Sequence, residues 1–184
     1  MVTHRTGEKA MSLDHRESIE VPASGRNIEP GLVRAVAGTF ATGITVITCS
    51  TGDNAHGCAA NAVLSVSLDP ALMLISLGHG SRTRAAIERA GSFAINILPD
   101  SEEGAELCSL FASRVEDKFA RAAHRSGVLG APILRHTLGW FECAVDTVQE
   151  AGDHTLFVGR VVDAGHDEGE PLLFFRGRHR RLAA

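Results

Sequence analysis

From residue 29 onward, the apolar positions of this chain switch between a helical and a strand-like spacing. Leu32, Val33, Val36 and Ala37 recur at helical spacing just after Glu29-Pro30 and predict a short first helix. Residues 44–49 are rich in β-branched side chains and run into a turn signal at Thr51-Gly52-Asp53-Asn54, which predicts a strand. Residues 56–68 are small and polar, an unusually low-bulk strand pair that ends at Asp69-Pro70. The continuous apolar run 71–77 suits a strand covered on both faces. A helix is expected over 82–89 with Ser81 as its N-cap, a strand over 92–98 and another helix over 102–112. Residues 116–131 show no period and are expected to be irregular, and strands resume at 140–148, 155–164 and 172–175. Six or seven strands with a few helices, and no βαβαβ rhythm, argue against a doubly wound parallel sheet. The expected fold is mainly β: a closed, mostly antiparallel barrel with peripheral helices.

Residues 1–28 lack this patterning. They are polar, mixed in charge and poor in large apolar groups, so they are expected to form a flexible tail ahead of one domain at 29–184. The 184-residue chain is 44% hydrophobic and 22% charged, ordinary values for a globular protein. Its net charge of −4 argues against a general nucleic-acid binder, while leaving room for a local basic pocket. The four cysteines, Cys49, Cys58, Cys108 and Cys143, form no CxxC pair and no zinc-like spacing, and are expected to pack as small hydrophobes. The nine histidines likewise lack paired spacing, so no metal site is expected. No apolar run reaches the roughly 18 residues of a membrane span, and the N-terminus lacks the apolar core of a signal peptide. A cytoplasmic protein with no membrane partner is the expectation.

Three segments carry candidate chemistry. Gly78-His79-Gly80-Ser81-Arg82-Thr83 follows an apolar strand and opens a helix, a junction whose free N–H groups and dipole favour an anion, with hydroxyls and arginines added. His56 to Ser67 is so low in bulk that a planar group can approach its backbone, with Asn61, Ser65 and Ser67 as polar contacts; a tight barrel corner explains the same composition. Gly152-Asp153-His154-Thr155 is by itself a turn followed by a histidine. P-loop, GxGxxG, HExxH and GxSxG patterns are all absent.

Taken in order, these and other segments resemble the short-chain flavin reductases, the reductase components of two-component flavin-dependent monooxygenases. The resemblance runs through Phe40-Ala41-Thr42-Gly43-Ile44-Thr45-Val46-Ile47-Thr48, His56-Gly57 and Ser65-Val66-Ser67-Leu68-Asp69-Pro70. It continues through Ser81-Arg82-Thr83, Phe93-Ala94-Ile95-Asn96-Ile97-Leu98, Asp117-Lys118-Phe119 and Gly130-Ala131-Pro132. It closes with Gly152-Asp153-His154-Thr155 and Pro171-Leu172-Leu173-Phe174-Phe175-Arg176-Gly177, so that about residues 31–182 are covered.

The resemblance implies an FMN-binding split β-barrel, usually a homodimer, that reduces FMN or FAD with NADH or NADPH for a separate monooxygenase. It places Cys58, Ala59, Ala60, Asn61 and Ala62 along the flavin ring, and Ser65, Val66 and Ser67 beside it. Ser81, Arg82 and Thr83 match a phosphate-binding stretch, and Lys118 a basic residue near the flavin phosphates. Thr42, Phe119 and Arg176 join the cofactor-binding set, and His154 matches a histidine beside the nicotinamide. Ala59 and Ala62 stand where relatives often carry Thr or Ser, and His179 where many carry Tyr. Because hydride transfer between two cofactors removes no proton from NAD(P)H, His154 is expected to position and polarise rather than to act as acid or base. Two other classes share the fold: a flavoprotein that holds FMN tightly as redox sensor or electron carrier, and a binding module without catalysis.

Overall fold

The computed structural model describes residues 28–182; the expected tail over 1–28 lies, but for Ile28, outside the described residues. Seven strands form the main ladder. They are β2 (Thr45–Thr51), β3 (Asn54–Ala60), β4 (Val63–Leu68), β5 (Ala71–Gly78), β6 (Ser92–Ile97), β9 (Gly139–Ala151) and β10 (His154–His166). Their spatial order is β3-β2-β6-β9-β10-β5-β4, and every pairing is antiparallel. The two ends of the ladder, β3 and β4, are consecutive in the chain yet do not pair with each other, so the expected closed barrel is instead split there. Five short strands make two smaller sheets: β1 (Thr42–Gly43), β11 (Leu173–Phe175) and β12 (Arg178–Arg180) in one, β7 (His124–Ser126) and β8 (Pro132–Leu134) in the other.

The segment 116–131, expected to be irregular, thus contains most of a hairpin. Its pattern hid the pairing because β7 is exposed at all three residues and only β8 is buried. The run 71–77 also departs from expectation. Only Met73, Ile75 and Leu77 of β5 are buried, the residues between them staying half-exposed, because among the described residues no element fully covers the second face. The core on the first face joins those three to Ile47, Phe93, Ile95 and Phe157.

Among the described residues, three helices lie outside the ladder: α1 (Pro30–Ala37), α2 (Arg82–Ala90) and α3 (Glu102–Ala112). The apolar spacing of α1 predicts it correctly, but none of its residues is buried. Helices α2 and α3 begin alike, with the hydroxyls of Ser81 and Ser101 accepting the N–H of Arg84 and Gly104. They differ in charge. The first turn of α3 holds Glu102 and Glu103, which suit the positive end of the helix dipole, whereas that of α2 holds no acid and two arginines.

All four cysteines are free thiols, and three of them are buried, as expected from their apolar settings. Among the described residues, no helix is long and apolar enough to cross a membrane.

Candidate functional site

A cleft of about 830 Å³ opens between β3, the start of α2 and the segment that follows α3. It gathers Cys58, Ala59, Ser81, Arg82, Thr83, Lys118 and Phe119, seven of the residues singled out in the sequence. The floor is β3, where bulk is excluded at one point: a Cβ on Gly57 would lie 2.7 Å from the Phe111 ring and 3.2 Å from the Ile47 carbonyl. The Phe111 side chain, the apolar end of α3, forms part of the wall and meets Phe119 edge-on with centroids 5.3 Å apart.

Charge in this cleft runs against the charge of the whole chain. Arg82, Arg89, Arg114 and Lys118 line it against a single carboxylate, Glu116. The Lys118 side chain is anchored, its Nζ donating to the carbonyls of Phe111 (2.9 Å) and Gly57 (3.4 Å). An ammonium has three donors, so one remains after these two. Burial pushes the Lys118 pKa down, the Cys58 sulfur opposes this, and the Arg82 charge adds to it. At Cys58, burial pushes the thiol up, against hydrogen bonds from Thr83 and Ser81 and the charge of Lys118, so this sulfur is a neutral wall atom at ordinary pH. The His56 pKa is lowered by burial first, then by Arg89 and Arg82. Together with the unclaimed N–H groups in the first turn of α2, these cations make an anion-binding end to the cleft.

The remaining expected residues lie elsewhere. Asn61 and Arg176 line a second cleft of about 810 Å³ beside α1, together with Arg34, Phe40 and Phe174. Thr42 joins them through its hydroxyl, which accepts from Asn61 Nδ2 at 3.2 Å. Arg176 has φ 49°, an uncommon conformation for a side-chain-bearing residue, and its N–H donates to the Gly38 carbonyl at 2.9 Å. Ala60, Ala62, Ser65, Val66 and Ser67 line neither cleft; Ala60 ends β3, Ala62 lies between the two strands, and Ser65 to Ser67 run along β4, with Val66 at a bulge.

His154 stands at the head of β10, paired across the ladder with Gly78. Its Nδ1 lies 2.7 Å from the Asp153 carboxylate, and Asp153 is held below the usual carboxylate range by that hydrogen bond and by the His154 charge. A carboxylate only accepts, so Nδ1 carries the proton and Nε2 is left on the side of Gly78. A Cβ at Gly78 would stand 3.7 Å from that nitrogen.

His56, Phe111, Arg89 and Arg114 line the first cleft without having been singled out as site residues. Phe111 and Arg89 read in the sequence as one apolar and one charged position of ordinary helices, and only the packing of α2 and α3 against β3 brings them together.

The family model of the flavin reductase like domain matches residues 37–183. The chain belongs to this family. A flavin reductase of Pseudomonas putida is 38% identical over 159 residues, covering 85% of this chain and 92% of that protein. Among solved structures, nitrilotriacetate monooxygenase component B from Mycobacterium thermoresistibile matches with a TM-score of 0.79 at 36% identity, covering 83% of this chain and 86% of the other. The NADH:FAD oxidoreductase of Streptomyces globisporus C-1027, solved with NAD and FAD fragments, matches with a TM-score of 0.78 at 34% identity over 86% of this chain and 98% of that one. A probable flavin reductase of Rhizobium meliloti is 42% identical over 134 residues, and the chain spans 42% of that protein's length. The flavin reductase-like split barrel expected from the ordered segments is therefore the fold of this chain.

Proposed function

We propose that the protein reduces FMN or FAD with NADH or NADPH and supplies the reduced flavin to a separate flavin-dependent monooxygenase. The cation-lined cleft at the start of α2 carries this function. One anchored cation, Lys118, three exposed arginines and an acid-free helix N-terminus suit a phosphate, and the low-bulk β3 backbone beside them leaves a flat floor for a ring. These residues fit a flavin nucleotide, which when bound would accept hydride from the nicotinamide. Lys118, Arg82 and the Ser81–Thr83 turn hold the phosphate. Cys58 and Ala59 of β3 support the ring, with N–H groups that favour negative charge as it is reduced. A neutral, buried Cys58 presents a soft apolar wall there and offers no competing nucleophile. His154, oriented by Asp153, holds the nicotinamide nucleotide in the site. A second family member solved with NAD and FAD fragments supports the pairing of cofactors, and the monooxygenase component among the matched structures supports the partner.

The test is oxidation of NADH and NADPH in parallel with FMN, FAD and riboflavin. Turnover dependent on added flavin is expected; a protein that retains flavin through gel filtration and oxidises neither nucleotide would be the redox sensor or carrier instead. Substituting His154→Ala is expected to raise the KM for NADH about tenfold, roughly 1.4 kcal/mol of binding, with kcat little changed. The same variant should bind FMN as the wild type does, measured by quenching of flavin fluorescence; an unchanged KM for NADH would remove His154 from the site.

We also assign the uncovered apolar surface to contact between two copies of the chain. Leu32, Val33 and Val36 of α1 are each more than half exposed, Phe40 is 77% exposed and Leu68 at the end of β4 is 90% exposed. Apolar surface of this extent is characteristic of interfaces. Sedimentation equilibrium should give twice the chain mass, and Leu68→Asp combined with Phe40→Asp should give the chain mass.

A further inference from the structure

The hairpin that presents His154 is fastened to the start of α2 by side chains that hydride transfer does not itself require. Thr155 is fully buried; its Oγ1 donates to Glu150 Oε1 at 3.0 Å and accepts from Arg84 Nη1 at 3.3 Å. The second Glu150 oxygen stands 2.6 Å from His79 Nε2, and the His79 N–H donates to the Asp153 carbonyl at 3.0 Å. Arg84 closes the other side, because its own N–H binds the Ser81 hydroxyl that caps α2. The loop 78–84 and the hairpin 150–155 are thus tied by a ring of contacts that passes through Thr155.

Stability alone does not account for the arginine in this ring. Among the described residues, Arg84 Nε is the one buried side-chain nitrogen or oxygen without a partner, and a buried donor left unpaired is unfavourable. Its cation also sits in the first turn of α2, where the helix dipole repels it; Glu88, 2.6 Å away, offsets this in part. A residue held at such cost fixes geometry. The same turn, 78–84, ends at the anion-binding part of the cleft, and the same hairpin carries His154.

Building on the reductase function above, we propose that Thr155, Glu150 and Arg84 are positioning residues that couple the two ends of the cofactor site. A phosphate group at the start of α2 rigidifies the 78–84 turn, and the ring through Arg84, Thr155, Glu150 and His79 passes that order to His154. Linkage makes the effect mutual: a nicotinamide nucleotide at His154 tightens the hold on the phosphate by the same factor.

Isothermal titration calorimetry with NAD⁺ tests this on protein saturated with FMN or with riboflavin, which shares the ring and lacks the phosphate. In the wild type, NAD⁺ should bind the FMN complex about fivefold more tightly than the riboflavin complex, a coupling of typical size. Thr155→Val should make the two affinities equal while leaving the riboflavin-complex value unchanged, and Thr155→Ser, which keeps the hydroxyl, should restore the difference. Equal affinities in the wild type, or a difference that survives Thr155→Val, would overturn the proposal. Should Thr155→Val not fold, Glu150→Ala at this exposed carboxylate, which removes the acceptor of Thr155, replaces it with the same expected loss. A second arm needs no turnover: inorganic phosphate added to the free protein should shift the imidazole NMR signals of His79 and His154 together, and a stationary His154 signal overturns the coupling. Absence of NADH oxidation with every flavin would remove the reductase function, and the phosphate arm would still decide the coupling.

Discussion

Replacing Lys118 by methionine is expected to weaken FMN binding about 30-fold, while riboflavin binding changes by less than about threefold; loss of one member of a buried charged contact commonly costs a few kcal/mol. Methionine keeps the length and apolar stem that lie against Phe111, so packing changes little. What is lost is the one ammonium of the cleft, an anchored charge that is only 8% exposed, in a place where water screens it weakly. Fluorescence titration of both flavins reads the effect directly, and an equal loss for the two would take Lys118 out of the phosphate contact. A pH dependence accompanies it. Burial depresses the Lys118 pKa, so FMN affinity that depends on the cation is complete below the depressed value and declines as pH rises through it, before the ordinary 10.5 is reached. The free protein responds in the opposite sense. Its fold disfavours the buried cation relative to the unfolded chain, so stability increases with pH across the same interval.

The features that were legible in the sequence are those with local causes. Strand β2 follows from its β-branched run, the cap of α2 from Ser81, and the low-bulk floor of the cleft from the composition of β3. The seven-residue cluster at the first cleft came from ordered segments that lie far apart in the chain, where no spacing rule links Lys118 to Ser81. Features set by long-range packing were not legible. The hairpin β7–β8 has one exposed and one buried strand, and the two-sided burial expected for β5 failed because an apolar run does not reveal whether a second layer exists. Arg84 and Thr155 meet through a single hydrogen bond across 71 positions, and each is an ordinary residue for its own helix or strand. The division of the expected flavin set between two clefts has the same origin: Asn61 lies past the end of β3, at the split in the ladder, on the side of α1.

Glu142→Gln is expected to destabilise the protein by about 2–3 kcal/mol, the range for losing hydrogen bonds to a buried charge. Glu142 is fully buried on β9, and its carboxylate accepts the N–H groups of Val128 (2.6 Å), Leu129 (3.0 Å) and Ala131 (3.1 Å). An amide in its place keeps one acceptor and turns an NH₂ toward these donors. Gly127 is part of the same arrangement, because a Cβ there would fall on the Glu142 carboxylate. The loop so held leads into β8, where Leu134 N–H binds Asn96 Oδ1 and the Thr48 hydroxyl binds the Pro132 carbonyl. From β7, His124 meets Phe119 edge-on at 5.2 Å, which carries the arrangement to the wall of the cofactor cleft. Gly127→Ala should therefore destabilise by a similar amount. In Gly127→Ala with Glu142→Ala the methyl group enters space the carboxylate has vacated, so the double variant should be more stable than the sum of the single losses requires. Urea denaturation of the wild type, Gly127→Ala, Glu142→Ala and the double variant measures the cycle, and strictly additive losses would show that Gly127 and Glu142 act separately. Flavin affinity should fall only as far as the Phe119 wall moves, well short of the loss in Lys118→Met, because the carboxylate acts on the shape of the cleft and carries none of its charge.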